Sequence, residues 1–149
     1  LIIVDIAPKK YQPSHTAYFD AFNTINFSLF ETRKEADTAL AEIESNIGVR
    51  QFLLKNLDKA DVGYQLKFNL KPIEAFYPKM IDAMGLQWII SVPTLFIYGE
   101  KSGYITENDM LTIEETFTES RFVEIPDAGH WVHAEQPNAF YNVVLDFLA

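Results

Sequence analysis

Strand-like and helix-like segments alternate over the last third of this chain, and this alternation limits the fold most strongly. In order along the sequence, the segments are residues 93–98 (strand), 107–117 (helix), 121–125 (strand) and 138–148 (helix). The last helix places Phe140, Val143, Val144 and Phe147 on one apolar face. Strands that alternate with helices pair in parallel and are joined by right-handed crossovers. The pattern therefore predicts an α/β protein whose parallel sheet is flanked by helices.

The chain opens with another strand, followed by a long stretch with a different pattern. Residues 1–4 are continuously apolar, which is typical of a strand buried on both faces of a parallel sheet. Residues 9–91 are predicted to be mainly helical and to form an insertion between the first core strand and the later ones. We expect three regions: residues 1–8 as a core strand with its following loop, residues 9–91 as the insertion, and residues 92–149 as the remaining core.

Several local signals lie within the insertion. Thr32 and Glu35 have the spacing of a capping box, which predicts a helix beginning near residue 33. Further segments are predicted as a helix over residues 47–57, an extended stretch over residues 64–68, a weaker helix over residues 72–84 disturbed by Pro78, and a loop over residues 85–91. In the 47–57 helix the predicted buried residues are Val49, Phe52, Leu53 and Leu57. In the loop we expect Trp88 to be an apolar anchor.

Composition excludes several classes of function. The 149 residues are 48% hydrophobic, which is enough for one core, and no apolar run approaches the ~20 residues of a membrane-spanning helix. A net charge of -9 argues against a nucleic-acid partner, because phosphate contacts need clustered Lys and Arg. The chain has no cysteine, which excludes disulfides, a Cys nucleophile and thiolate metal sites. A reducing compartment such as the cytoplasm is the expected location.

A histidine follows the last predicted strand. His130 comes after Gly129 on the turn between residues 122–125 and the final helix. A hydrolase of α/β architecture carries its general base on such a turn, and glycine permits a sharp backbone turn and leaves space beside the imidazole. The alternative is a histidine that caps or packs beneath the helix. The surrounding pattern favours the general base.

The acidic partner of His130 has two candidates. Catalytic groups in open α/β sheets collect at the carboxyl ends of strands. Asp5 lies at such an end, after four apolar residues, and a carboxylate is costly to bury there unless it is paired. Glu100 lies next to the end of the strand over residues 93–98. Ser102, three residues after Gly99, cannot hold the charge that stabilises an imidazolium. We expect the Asp5 carboxylate within hydrogen-bond reach of the His130 ring.

Four segments resemble the α/β-hydrolase superfamily, and most closely the YbfF-type esterases. They are Leu-Ile-Ile-Val-Asp-Ile-Ala-Pro at 1–8, Val-Arg-Gln-Phe-Leu-Leu-Lys-Asn-Leu at 49–57, Pro-Thr-Leu-Phe-Ile-Tyr-Gly at 93–99 and Ala-Gly-His-Trp-Val-His-Ala-Glu at 128–135. The resemblance implies a Ser-His-Asp hydrolase with a helical lid over residues 9–91. It also implies that the acid is Asp5, because the family's acid lies in the matching Asp-Ile-Ala-Pro segment.

The nucleophile of that family is not found in this sequence. No serine lies in a Gly-x-Ser-x-Gly nucleophile elbow. The resemblance places the nucleophile and the oxyanion-hole loop before the strand over residues 1–5. We therefore expect this chain to be the C-terminal part of a longer enzyme, and the missing N-terminal part to be its partner.

The other histidines and the aromatic residues have weaker functional readings. His133, three residues after His130, is predicted to lie at the helix start; without a third ligand nearby, no metal site is expected. His15 is predicted to be a surface residue. The aromatic residues of the insertion are expected to form mostly its core, while a minority line an acyl pocket.

Two classes of function remain open. The first is a serine hydrolase that acts on carboxylic esters or acyl thioesters without a cofactor. This chain alone is expected to be inactive. Haloperoxidase or C–C bond hydrolase chemistry is possible on the same scaffold. The second is a non-catalytic binding segment that has lost its nucleophile. Keeping both Asp5 and His130 favours the enzyme, and the residues before Leu1 would discriminate between the two.

Overall fold

A computed structural model describes residues 1–85 and 87–149. Its strands are β1 (Ile2–Val4), β2 (Leu57–Lys59), β3 (Tyr64–Leu66), β4 (Thr94–Gly99) and β5 (Ser120–Ile125). Its helices are α1 (Thr16–Thr24), α2 (Arg33–Ala41), α3 (Ile47–Leu54), α4 (Leu70–Met80), α5 (Glu107–Thr116), α6 (Val132–Glu135) and α7 (Pro137–Leu148), with a 3₁₀ turn at Phe27–Leu29. The chain divides into two compact units, one formed by residues 1–10 and 83–149 and the other by residues 11–82.

The first unit is a three-stranded parallel sheet with helices on both faces. Strand β4 lies between β1 and β5 and pairs with both in parallel. Its side chains alternate, so that Phe96 packs with residues of α5 on one face while Leu95 and Ile97 face α6 and α7. The α/β architecture and the parallel pairing predicted from the alternation of segments are confirmed.

Helices α5 and α7 begin and pack close to where the sequence places them. Thr106 accepts a hydrogen bond from the backbone N–H of Asp109 and the Asp109 side chain accepts one in return, which completes a capping box at the start of α5. The predicted apolar face of α7 packs against the sheet; its residues are Phe140, Val143, Val144 and Phe147.

The prediction that the first strand is buried on both faces is wrong for this structure. Residues Ile2, Ile3 and Val4 are half-buried and Leu1 is 58% exposed. Within the described residues β1 pairs on one side only, with β4. Asp5, the residue that follows this strand, is nevertheless fully buried.

The second unit contains α1 to α4 and a hairpin of β2 and β3. The capping box of Thr32 and Glu35 is confirmed at the start of α2. Residues of α1, α2 and α3 share a core with the hairpin; its buried members include Phe27, Ala36, Leu40, Leu54 and Leu57. Helix α4 begins two residues before the prediction and ends four residues earlier, and it contains Pro78.

Three expectations for residues 47–91 are wrong. Helix α3 ends at Leu54, and Leu57 is buried in β2, which pairs antiparallel with the extended segment of β3. Phe52, predicted to be buried, is 53% exposed, and the buried helical residue beside it is Arg50, which donates to Asp37 and to two backbone carbonyls. Trp88 is 78% exposed and therefore not the buried anchor that was expected. Leu86, in the same predicted loop, lies outside the described residues.

Candidate active site

Strand β1 delivers Asp5 to the carboxyl end of the sheet. The Asp5 backbone N–H donates to the carbonyl of Ile97 at 2.7 Å, which continues the β1–β4 ladder by one residue. Its carboxylate Oδ1 then accepts the backbone N–H of Gly99 at 3.2 Å. Asp5 has a φ of +48°, in the left-handed region that Asp and Asn tolerate better than most residues. Backbone and side chain together fix the carboxylate against β4.

The structure brings Asp5 and His130 together. The His130 Nδ1 lies 2.7 Å from Asp5 Oδ2, although the two residues are 125 positions apart in the chain. Asp5 is fully buried, whereas 44% of the His130 side chain is exposed. The carboxylate accepts a hydrogen bond from a proton held on Nδ1, so that the other ring nitrogen, Nε2, is the one able to accept a proton. The predicted adjacency is present, while the catalytic roles stay predictions.

Ser102 takes part in this site in a way that the sequence analysis missed. Its hydroxyl donates to Asp5 Oδ2 at 2.5 Å, the same oxygen that contacts His130. Three donors therefore surround the buried carboxylate, which offsets the cost of removing the charge from water. Ser102 follows β4 and supports an acid that β1 supplies.

The turn after β4 is tied to the turn after β5. The N–H of Lys101 donates to the carbonyl of Ala128 at 2.9 Å, and the N–H of Ser102 donates to the carbonyl of Gly99 at 2.9 Å. A Cβ on Gly99 would lie 2.3 Å from the carbonyl oxygen of Gly129. A glycine is required there because the two turns approach each other at backbone distance.

Glu100, the alternative acid, is directed elsewhere. Its Oε2 accepts the backbone N–H of Asp127 at 2.8 Å, and the residue is exposed. Asp127 in turn binds Lys101 at 2.7 Å, and the Lys101 ammonium holds the pKa of the Asp127 carboxyl below its usual range. Glu100 thus belongs to a surface network that ties the two turns together. The geometry favours Asp5 over Glu100 as the partner of His130.

Two further groups hold His130. The Tyr104 ring stacks on the imidazole with 3.9 Å between ring centroids and an angle of 18° between ring planes. The Glu135 carboxylate accepts the backbone N–H groups of Gly129 and Trp131 at 2.8 and 3.1 Å. The sequence analysis missed both residues. Glu135 lies four residues after Trp131, one more than the spacing of a capping box, so that sequence signal does not identify it.

The remaining histidines have other contacts. His133 is in α6, and its ring meets Phe140 at 6.1 Å between centroids. His15 belongs to the other unit, where its Nδ1 lies 2.9 Å from the hydroxyl of Tyr77. Within residues 1–85 and 87–149, no three His, Asp or Glu side chains are grouped as metal ligands. The same described residues contain no helix with the length and apolar character needed to span a membrane.

A parallel sheet with a buried carboxylate and a histidine paired at the carboxyl ends of its strands is typical of hydrolases of α/β architecture. Residues 18–137 match the family model of the alpha/beta hydrolase fold, and the chain belongs to that family. The resemblance predicted from the sequence is confirmed. The chain is 33% identical to esterase YbfF of Escherichia coli over 150 residues, which cover 99% of the chain and 57% of that protein.

Other relatives are also hydrolases. The chain is 32% identical to the mouse (Mus musculus) sn-1-specific diacylglycerol lipase ABHD11 over 155 residues, covering 100% of the chain and 50% of that lipase. A marine microorganism esterase of known structure matches with a TM-score of 0.92 and 40% identity over 99% of this chain and 59% of its own. The chain thus spans about half the length of the relatives that it matches.

Proposed function

We propose that this chain supplies the acid and the base of a serine hydrolase that cleaves carboxylic esters or acyl thioesters. The observation that carries the proposal is the 2.7 Å contact between His130 Nδ1 and the fully buried Asp5 carboxylate. An unpaired carboxylate is costly to bury, and a non-catalytic segment would have no need to keep it beside an accessible imidazole. The names of the relatives, esterases and a diacylglycerol lipase, support an ester as substrate.

The proposed mechanism assigns one role to each residue. His130 Nε2 accepts the proton of a serine hydroxyl as that oxygen attacks the acyl carbon, and later returns a proton to the leaving group. Asp5 holds the proton on Nδ1 and stabilises the imidazolium that forms. The half-exposed imidazole and the buried carboxylate suit these roles, because the base must reach substrate while the acid need not.

The nucleophile and the oxyanion hole belong, in this proposal, to the part of the family that this chain does not cover. The support is that no serine of this sequence lies in a Gly-x-Ser-x-Gly elbow and that the chain spans about half of its relatives. Residues 9–91 are proposed as the lid of the same enzyme. The cytoplasm stays the predicted location of this enzyme.

A fluorophosphonate probe tests the proposal, because it reacts only with a serine that a neighbouring base activates. We expect the full-length protein to be labelled on one serine that peptide mapping places outside residues 1–149. His130→Ala should abolish labelling, whereas His133→Ala, a neighbouring histidine directed at Phe140, should not. Absence of labelling in the folded wild-type protein, or labelling of a serine within these 149 residues, would refute it.

A further inference from the structure

The Glu135 carboxylate binds the backbone on both sides of His130. Its Oε2 accepts the N–H of Gly129 at 2.8 Å, and its Oε1 accepts the N–H of Trp131 at 3.1 Å. These are the residues that immediately precede and follow the histidine. Hydrogen bonds to a charged acceptor are shorter and stronger than those between neutral groups. One side chain therefore fixes the peptide group that follows the Cα of His130 and the peptide group that precedes Gly129.

Gly129 is explained by the same contact. A Cβ at this position would lie 3.1 Å from Oε1 and 3.2 Å from Oε2 of Glu135, which is closer than an ordinary van der Waals contact. The backbone of Gly129 is not in the left-handed region, where the structure places Asp5, Gly63 and Asp127 instead. The expectation that Gly129 permits a sharp turn and leaves space beside the imidazole stays a prediction. The structure adds that Gly129 leaves space for the Glu135 carboxylate.

We propose that Glu135 is a positioning residue. It sets the distance between His130 and Asp5, and so determines how well the His130 ring is placed to accept a proton. This inference rests on the function proposed above. The imidazole is held at its own atoms by Asp5 and by the face of Tyr104, but it remains 44% exposed. Its backbone is anchored through Glu135. A side chain that is aligned to within a fraction of an ångström depends on such an anchor.

The contact of Glu135 with the N–H groups of Gly129 and Trp131, here called the clamp, requires a carboxylate because two N–H donors each bind one of its two oxygens. In Glu135→Gln, one oxygen is replaced by an NH₂ group, which would face the N–H of Gly129 or of Trp131. One of these backbone donors then loses its acceptor. Glu135→Asp keeps both oxygens on a side chain that is shorter by one methylene, so it serves as the conservative variant.

The experiment compares Glu135→Gln with Glu100→Gln in the full-length protein. Glu100 is a matched control, because its carboxylate accepts one backbone N–H of the same turn without flanking His130. We expect kcat on p-nitrophenyl esters to fall about 10- to 100-fold in Glu135→Gln with KM unchanged, the order expected for a misplacement of about 1 Å. Glu100→Gln should behave as the wild type, and Glu135→Asp should recover part of the loss.

The spectroscopic measurement follows His130 without any turnover. The proton on Nδ1, bound to a buried carboxylate, should give a downfield proton NMR resonance that is lost in Asp5→Asn. We expect Glu135→Gln to weaken or shift this resonance, and Glu100→Gln to leave it unchanged. A general structural role would lower Tm without changing the resonance of the folded protein.

Gly129→Ala provides a second route to the same effect, and it keeps the proposal testable if Glu135→Gln folds poorly. The added methyl displaces the carboxylate, so the effects of Gly129→Ala and Glu135→Gln on kcat should be strongly non-additive. Wild-type kcat and an unchanged resonance in folded Glu135→Gln would overturn the proposal, as would full additivity. An inactive wild-type protein in which the resonance still responds to Glu135→Gln would contradict the proposed function but support the clamp.

Discussion

Replacing Asp5 by Asn tests the acid of the proposed pair with little change in shape. Asn tolerates the left-handed backbone of this position, so we expect the fold to be kept. The carboxamide oxygen can still accept the N–H of Gly99. On the side of Oδ2, however, the His130 N–H and the Ser102 hydroxyl both donate, and an NH₂ group placed there cannot accept from either.

The expected loss follows from the proton on the imidazole. His130 can satisfy the new NH₂ group only by presenting an unprotonated Nδ1, which moves its proton to Nε2. A protonated Nε2 cannot accept the proton of the nucleophile, and the amide cannot stabilise an imidazolium. We expect kcat to fall on the order of 10²–10⁴-fold. This loss corresponds to about 3–5 kcal/mol of transition-state stabilisation.

The assay is hydrolysis of p-nitrophenyl esters by the full-length protein, with circular dichroism to verify the fold. Asp127→Asn is the control, because Asp127 also has a positive φ of 60° but is exposed and binds Lys101. It should retain wild-type kcat. If Asp5→Asn keeps the wild-type kcat while Glu100→Gln loses most of it, the acid is Glu100, which follows β4, and the reasoning about Asp5 is wrong.

Two further predictions concern the Tyr104 ring and the Lys9–Asp109 ion pair. Tyr104→Leu should lower kcat about 2- to 10-fold, which is the contribution of one aromatic pair, while Tyr104→Phe should keep the stacking and most of the activity. Equal losses of kcat in the two variants would contradict this role of the stacking. Burial raises the pKa of Asp109, but hydrogen bonds from Lys9 and Thr106 outweigh it, so the net pKa is lowered. The Asp109 carboxylate therefore stabilises the folded protein above the pKa that Asp109 has when unfolded. This stabilisation is lost as the pH falls through the lower pKa that Asp109 has in the folded protein. Urea unfolding should show a wild-type advantage over Asp109→Asn at neutral pH that disappears in acid; a pH-independent difference would refute this.

Local signals in the sequence predicted local structure well. The capping box predicted at Thr32 is determined by residues three positions apart, and it is present in the structure. The end of α3 was missed because Leu57 leaves the helix to pair with Leu66, nine residues later, and helical periodicity carries no information about that partner. The burial of Arg50 depends in the same way on Asp37 and on carbonyls outside its helix.

The candidate site was predicted only in part, for a related reason. Asp5 and His130 stand out because each follows a strand, so that topology alone brings them to one edge of the sheet. Serine at position 102 cannot carry the charge of the acid, and the sequence does not indicate that its hydroxyl donates to Asp5. Glu135 was not considered, since its partners are backbone N–H groups that have no identity in a sequence.

The positive φ of Asp5 restricts which amino acids evolution or a mutagenesis library can place there. The left-handed region admits Gly, Asn and Asp at little cost, and of these only Asp carries a negative charge. Glutamate has the charge, but it is disfavoured in this conformation and its carboxylate would extend beyond a space that is already closed. Saturation mutagenesis of position 5 should therefore leave Asp as the only residue that supports the proposed activity, and an acid placed elsewhere would have to come from another strand.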